Sequence, residues 1–348
     1  MAGPSPSDGP PDRHGRQSLL PGVGPGGQER LRGSHAAVVG AGALGCVSLD
    51  WLCRAGVGRL TVIDRDVIEP TNLQRQVLYD ARHLERGLPK AVAAAERLRE
   101  IDPGVRVEGH VADVTHANIA SLLEGAEVVL DGTDNFETRF LINDHAVRSG
   151  TPFVYAGAVG TRAMAAAFAS GERSPCLRCV FRDPPPAGSQ PTCDTAGVLG
   201  PAVGLAASWQ AAQAVAILIG REVRTRLVEL DPWLGIVRSV DLGASRDAAC
   251  PCCAQGRVEF LDGSRARPMT ELCGRDAVQI ASNGSAPDLA ALETRLAGVG
   301  SFSRNAFLLR GTIEDSAIGL TVFRDGRVLV HGVDSIEAAR TIHARYLG

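Results

Sequence analysis

The run Ala36-Ala-Val-Val39-Gly40-Ala-Gly42-Ala-Leu-Gly45 decides the fold. Four apolar residues in a row read as a buried strand, and glycines spaced G-x-G-x-x-G make a tight turn into a helix that should reach about Ala55. Glycine at these positions lets phosphate approach the backbone at a helix N-terminus. Asp64 lies 24 positions beyond Gly40, at the end of a second expected strand over 60–63. There a carboxylate can take ribose hydroxyls. Taken alone, the pattern describes an adenine-nucleotide site, most often for NAD or FAD, with a purely structural glycine turn as the alternative. The chain carries no G-x-x-x-x-G-K-[ST], which excludes a P-loop NTPase.

Outward from the turn, strands and helices alternate. Pro89 and Lys90 open an Ala-rich helix to about Glu100, strands are expected over 105–110 and 127–130 with a short helix over 117–123 between them, and 135–148 reads as a helix. Such alternation implies a Rossmann-like α/β fold with an open, mostly parallel sheet. A hairpin over 153–159 and 163–169 is expected on the edge of that sheet, and 223–230 with 235–240 read as paired late strands. After Gly256 the pattern restarts as strand, helix, three short strands and a helix, a small α+β domain. The expected organisation is a disordered N-terminus over 1–12, a nucleotide-binding domain over 13–255 and an extension over 256–348 with no assigned role. The stretch 195–220 has no charged residue, but its Ala-rich composition with Pro201, Ser208, Gln210 and Gln213 fits a core helix better than a bilayer span.

Composition narrows the function. The 348 residues are 45% apolar and 22% charged, as in a chain that buries a real core. A net charge of −3 gives no basic field for nucleic acid or acidic lipid, so neither a nucleic acid nor a membrane is an expected partner. The opening residues lack the apolar core of a secretory signal, so a cytoplasmic location is expected. The nine cysteines then read as thiols, metal ligands or catalytic groups. Of 36 basic residues only one, Lys90, is lysine. Either lysine is kept where a planar guanidinium will not serve, or a single lysine survives by chance on a surface helix.

The loop beyond the second strand, Asp64-Arg-Asp66-Val-Ile-Glu-Pro-Thr-Asn72-Leu-Gln-Arg75-Gln76, packs acids, amides and guanidinium groups together. A nicotinamide cofactor, with its diphosphate, needs no such cluster. A triphosphate attacked at its α-phosphorus does, because its charge must be held by Lys, Arg and a metal-binding acid. A solvated charged loop is the plainer alternative. Asp131-Gly-Thr-Asp134-Asn135 ends another expected strand, where ligands of open α/β sheets bind. Asp134 can hold Mg²⁺ or cap the next helix, and the local pattern alone favours the cap.

Cys176-Leu-Arg-Cys179 and Cys250-Pro-Cys-Cys253 can supply four thiolates from two tight turns, the closed set that structural Zn²⁺ prefers. A redox C-x-x-C is the rival. Cys252 is ambiguous, although the two-residue spacing favours Cys250 and Cys253. Cys193 stands apart in Thr192-Cys-Asp-Thr-Ala-Gly197, after a proline-rich loop, and is a candidate nucleophile or an inert packing residue. Cys46 and Cys53 read as small core residues.

Together these motifs resemble the ThiF/MoeB/HesA family, relatives of the ubiquitin-activating E1 enzymes. The matching pieces are Arg13-His-Gly-Arg16-Gln17, Val39–Gly45, Asn72-Leu-Gln-Arg-Gln76, Leu88-Pro-Lys90, Thr133-Asp-Asn135, the paired C-x-x-C and Cys193-Asp-Thr-Ala-Gly197. The tail, with Leu272-Cys273-Gly-Arg275 and Phe323-Arg-Asp-Gly-Arg327, resembles the extension of ThiF-type thiazole-synthesis adenylyltransferases. The resemblance implies an E1 adenylation domain that uses Mg·ATP to adenylate the C-terminal Gly-Gly of a ThiS-like sulfur carrier, with release of pyrophosphate, in thiamine biosynthesis. A MoaD-like carrier in molybdopterin synthesis is the alternative, and a dinucleotide-dependent oxidoreductase the rival from another class. Carried across, Gly40, Gly42, Gly45 and Asp64 hold the nucleotide with Asp66 and Asn135. Asn72, Arg75 and Lys90 grip the phosphates, and Asp134 handles Mg²⁺. Arg16 reaches the ATP of the other subunit in a homodimer, and Cys193 joins in sulfur transfer. A sulfur donor such as a cysteine desulfurase is an implied partner. Cys273 has no assigned role.

Overall fold

The computed structural model describes residues 12–347 except 170, 172–173, 187–188, 190–192, 266–268, 273–276, 281–285 and 334; at 193–194 and 269–272 it describes the backbone alone. The expected N-terminal disorder and Cys273 fall outside these residues.

The first sheet has eight strands: β1 (His35–Val39), β2 (Arg59–Asp64), β3 (Arg106–Val111), β4 (Val128–Asp131), β5 (Phe153–Val159), β6 (Arg162–Phe168), β7 (Arg226–Asp231) and β8 (Ile236–Asp241). Their order is β3-β2-β1-β4-β5-β6-β7-β8, parallel as far as β5 and antiparallel beyond it. The fold is the α/β, mostly parallel one that the alternation implies. The hairpin expected at the sheet's edge lies inside it, because β7 pairs with β6 and carries β8 outward. Its Ala-rich strand β6 is buried on both sides, which an edge strand would not be.

Around this sheet lie α1 (Gly15–Ser18), α2 (Gly24–Gly33), α3 (Ala43–Arg54), α4 (Ala81–Glu85), α5 (Lys90–Ile101), α6 (Ile119–Leu122), α7 (Phe136–Ser149), α8 (Leu177–Val180), α9 (Cys193–Ala196) and α10 (Gly200–Leu218). One face of the sheet packs α3 and α5 through Leu49, Leu52, Ala94 and Leu98; the other packs α7 through Phe140 and Ile142. Burying a leucine of this kind is worth roughly 1.5–3 kcal/mol. By length and composition α10 is apolar enough to cross a membrane. Its small-residue face (Ala202, Ala206, Ala207, Gln210, Ala214) is nevertheless packed within the protein, against α3, β5 and β6. Gln210 is fully buried there: its amide donates to the carbonyls of Asp131 (2.9 Å) and Val154 (2.7 Å) and accepts from Ser48 Oγ (2.7 Å).

The C-terminal sheet comprises β9 (Met269–Leu272), β10 (Ala277–Ile280), β11 (Gly300–Arg304), β12 (Leu308–Ile313), β13 (Gly319–Phe323) and β14 (Val328–His331), in the antiparallel order β11-β12-β13-β14-β10-β9. Helices α11 (Leu289–Leu296) and α12 (Ile336–Tyr346) cover one face through Leu289, Leu296, Leu309, Val322 and Val330. Four strands follow α11 where three are expected. The extra one, β11, is a half-exposed edge strand of sequence Gly-Ser-Phe-Ser-Arg, with no apolar alternation to announce it.

Candidate active site

A crevice opens where the strand order reverses. β1 is flanked by β2 on one side and β4 on the other, so the turns after β1 and β4 diverge at their carboxyl ends. Gly40 enters the first turn at φ +91°, and a Cβ there would stand 2.5 Å from the Gly132 carbonyl oxygen; a Cβ on Gly45 would run into the Gly40 carbonyl. These two glycines are demanded by backbone packing. Gly42 is different. A Cβ there would meet nothing nearer than 3.8 Å, yet the room it faces lies at the N-terminus of α3, bounded by the Gly132 carbonyl and the Gln76 amide. The protein's own packing leaves this cradle open, and helix N-terminal amides favour an anion in it. Buried Gln76 has an Oε1 with no partner among the described residues, which points to a ligand.

The carboxylate at the end of β2 is fixed by two backbone amides: Asp64 accepts from Ala41 and from Asp66, each at 2.7 Å. Burial pushes its pKa up, against a downward pull from Lys90. Lys90 begins α5 directly after Pro89, which serves as N-cap and not as first-turn residue. Its amide donates to the Asp66 carbonyl (2.9 Å) and its Nζ lies 3.1 Å from Asp66 Oδ2, with the side chain only 3% exposed. Tyr79 ties the two turns, its hydroxyl donating to Ala41 O (2.7 Å) with Lys90 O at 3.1 Å. The sole lysine is therefore a buried cation with a counter-charge, aimed by its own helix start.

Across the crevice, the structure corrects the expectation that Asp134 caps the next helix. The cap of α7 is Asn135, whose Oδ1 accepts from the Thr138 amide at 2.8 Å. Asp134, one residue earlier, stays exposed at the mouth of the turn. Asn135 is thus spent on the helix and Asp134 is left facing solvent. The turn is held from behind by Arg139, which the sequence motifs did not single out: its Nε lies 2.6 Å from buried Asp131 and its guanidinium stacks on Tyr155. Burial opposes its charge, but Asp131, Tyr155 and Asp134 together more than restore it. Nothing local in the sequence marks it, because an arginine in a helix reads as a surface residue until its buried partner is seen.

Of the remaining candidates, Asn72 uses its Oδ1 to accept from the Glu69 amide (3.0 Å) and so shapes the loop over 70–72. Arg75 donates to Thr71 O (2.7 Å) beside the start of α10. Arg16 is not brought to this crevice in its own chain. It is exposed on α1, and its neighbour Gln17 is anchored to Ala55 at the far end of α3 (3.0 Å). That helix has 12 residues, about 18 Å of rise from the glycine turn. Cys193 opens α9, with its side chain outside the described residues. Cys46 and Cys53 are core thiols, each pushed up to about 12 by burial.

Cys176, Cys179, Cys250 and Cys253 bring their sulfurs within 4.8 Å of one another, with Cys176–Cys250 at 3.7 Å and Cys179–Cys253 at 3.4 Å. A tetrahedron of ~2.3 Å Zn–S bonds has edges of about 3.8 Å, so the group is compatible with zinc. Cys252 lies outside the four, near Asn143 Nδ2 (3.5 Å). Both knuckles hang on α7: Leu177 N donates to Asn143 Oδ1 (2.9 Å) and Phe260 N to Asp144 Oδ2 (3.0 Å).

A parallel sheet with a glycine cradle, a buried lysine–aspartate pair and an acidic turn at its switch point defines an adenylating fold of the E1 type. A family model described as the ThiF family matches residues 14–252, and the chain belongs to that family. It is an adenylyltransferase. It is 39% identical over 338 residues, 97% of this chain and 99% of the other, to the sulfur carrier protein ThiS adenylyltransferase of Bacillus subtilis. To the sulfur carrier protein adenylyltransferase of Thermus thermophilus it is 41% identical, over 70% of this chain and 90% of that one. Among solved structures, Escherichia coli MccB aligns with a TM-score of 0.61 at 20% identity, covering 71% of this chain and 73% of its own, a likeness of fold.

Proposed function

We propose that this protein adenylates the C-terminal glycine of a ThiS-like, ubiquitin-like sulfur carrier, releasing pyrophosphate and readying the carrier for thiocarboxylate formation in thiamine biosynthesis. The observation that carries the reading is the buried Lys90–Asp66 pair beside the open Gly42 cradle. The carrier's terminal carboxylate is ionised at neutral pH and needs no protein base. Its oxygen bonds to the α-phosphorus as the bond to the bridging oxygen breaks, and pyrophosphate leaves with that electron pair. What the protein must supply is position and positive charge. The turn Gly40–Gly45 cradles phosphate, Asp64 accepts from the ribose, and Asp66 keeps Lys90 aimed at the triphosphate, which Arg75 and Asn72 flank. Asp134 fits Mg²⁺ as an exposed carboxylate freed from capping, and Asn135 holds the turn that presents it. Mg²⁺, when bound, supplies further positive charge to the phosphates. The four cysteines would hold a structural Zn²⁺.

Arg16 then serves the neighbour in a homodimer. Trp51 and Leu205, 50% and 47% exposed on α3 and α10, offer the apolar surface such a dimer would cover. Cys193 acts after adenylation, as sulfur acceptor near the activated carbonyl, with a cysteine desulfurase-type donor and a cytoplasmic setting. The test is intact-mass measurement of purified carriers after incubation with enzyme and ATP, then with a sulfur donor. A ThiS-like carrier should gain the adenylate and then the thiocarboxylate, and Cys193→Ser should stop the second step alone. Preferential adenylation of a MoaD-like carrier would move the pathway, and a bound pyridine or flavin chromophore with no adenylate on any carrier would overturn the reading.

A further inference from the structure

The C-terminal sheet has two unlike faces. Side chains alternate along its strands, so Val322, Val328 and Val330 turn to α11 and α12, while Leu308, Phe323, Leu329 and Gln279 turn the other way. That second face meets the nucleotide loop: Leu308, Phe323 and Leu329 form one buried cluster with Val67, and Val111 packs against it. Val67 is the residue that follows Asp66 and bridges to Pro89. The extension therefore closes over the back of the segment that holds Asp64, Asp66 and Lys90.

Polar contacts run through the same junction. Gln279 is 3% exposed and its Nε2 donates to Asp113 Oδ2 at 2.6 Å. The other oxygen of Asp113 lies 3.0 Å from Arg65 NH1, and Arg65 Nε lies 3.9 Å from Asp66 Oδ1. Asp66 in turn pairs with Lys90. Burial opposes the charge on Arg65, but Asp113, Asp66 and Asp134 outweigh it. Arg327, on the turn after β13, donates from NH2 to the Arg65 carbonyl at 3.3 Å; it is held by Asp325 (2.7 Å) and by stacking on Phe323 at 4.2 Å. A carboxylate held on both oxygens cannot swing, so Arg65 stays drawn toward Asp113 and Asp66 remains oriented on Lys90.

We propose that Gln279 and Arg327 of the C-terminal extension are positioning residues for the ATP site, acting through the chain Gln279–Asp113–Arg65–Asp66–Lys90 and through the Arg65 backbone. The extension is then the outer wall of that site, and its work is to hold the nucleotide loop in its binding shape before ATP arrives. This rests on the reading that the crevice takes ATP. Preorganisation of this kind strengthens binding by removing an ordering cost.

The experiment is direct calorimetric binding of ATP to the full chain, as parent, Gln279→Ala, Arg327→Gln, Asp113→Ala and the double variant Gln279→Ala/Asp113→Ala, each checked by melting temperature. Loss of one hydrogen bond, to the Asp113 carboxylate in Gln279→Ala and to the Arg65 carbonyl in Arg327→Gln, should be partly transmitted and weaken ATP about five- to tenfold in each. KM for the carrier should stay unchanged in both. Gln279→Ala should add nothing once Asp113 is Ala, because its effect passes through that carboxylate. Gln279→Leu, which keeps the volume and loses the donor, should match Gln279→Ala and serves if the smaller residue does not fold. Unchanged ATP affinity in the folded variants, or full additivity with Asp113→Ala, would overturn the proposal. A parent protein that binds no ATP would instead remove the reading on which it rests.

Discussion

The crevice and the cysteine cluster sit along one helix and are built by opposite means. Asn135 caps α7 beside Asp134, and eight residues on, about 12 Å along the axis, Asn143 anchors the first cysteine knuckle. At the crevice the protein balances its own charges: Lys90 with Asp66, Arg65 with Asp113, Arg139 with Asp131. Each of these charges has its partner within the protein, so a ligand can come and go without leaving one stranded. The cluster does the reverse. Four like groups converge among Val147, Val258 and Leu261. Their thiols respond accordingly: Cys179 is pushed up to about 12, first by its hydrogen bond with Cys176, and Cys253 to about 11, first by burial. The geometry is compatible with a cation, and one bound there would draw off those protons. A turnover site is preorganised without its ligand, whereas a structural metal site is completed by it.

That contrast breaks most visibly at Lys90. Lys90→Ala should cost roughly 10²–10³ in the rate of carrier adenylation, the loss seen when one charge-stabilising group is removed. Lys90→Arg should be nearly as poor, because a planar fork cannot take the place of a point charge paired with Asp66. Near-normal ATP–pyrophosphate exchange in a folded Lys90→Ala protein would mean that the charges at the crevice serve the fold alone.

The second test asks whether the crevice, unlike the cluster, is incomplete within one chain. Arg16→Ala and Lys90→Ala proteins should each be inactive, and mixing equal amounts should restore about a quarter of the parent rate. Half the dimers in such a mixture are mixed, and each holds one intact site. Subunit exchange with no recovered activity would assign Arg16 to its own subunit.

Removal of metal should act on the cluster and spare the crevice. Strong chelation, or Cys250→Ser, should lower the melting temperature by at least about 5 °C while leaving ATP affinity intact below the transition. One zinc per chain is the expected metal content, and protein purified without chelator that contains none would contradict it.

The smallest effect is on pH. Burial raises the Asp64 carboxyl, so it protonates at higher pH than a solvated aspartate. The ionised form accepts from ribose, so ATP affinity should rise as pH increases through that raised value and decline on its acid side, by up to about tenfold. Titration of ATP between roughly pH 5 and 8 measures this. The acid limb should vanish in Asp64→Asn, and an identical limb in that variant would assign it to another group.

Much of this was legible in the sequence because backbone demands restrict residue choice. The glycine turn, the strand ending at Asp64, the lysine at a helix start and the C-x-x-C pairs each follow from local chemistry. What was not legible depends on partners far along the chain. Whether Asp134 or Asn135 caps α7 differs by one residue, and only the Asn135–Thr138 contact separates them. The hairpin over 153–168 gives no sign that β7 will pair with it from sixty residues away. Gln210 and Arg139 look like ordinary helix residues until their buried partners are seen. Gln279 lies in an extension whose own pattern says strand and nothing more, while its carboxylate partner Asp113 belongs to the loop that follows β3 of the other sheet.

If the Gly42–Lys90 crevice activates ATP at its α-phosphorus for a carrier's terminal carboxylate, formation of the adenylate there must be reversible by pyrophosphate. Exchange of labelled pyrophosphate into ATP, measured with and without a purified ThiS-like carrier and with the same carrier lacking its last two glycines, tests it most directly. Rapid exchange is expected with the intact carrier and none with the truncated carrier or with enzyme alone. Exchange that proceeds equally without a carrier, or that fails with every Gly-Gly carrier offered to a folded enzyme, would contradict it.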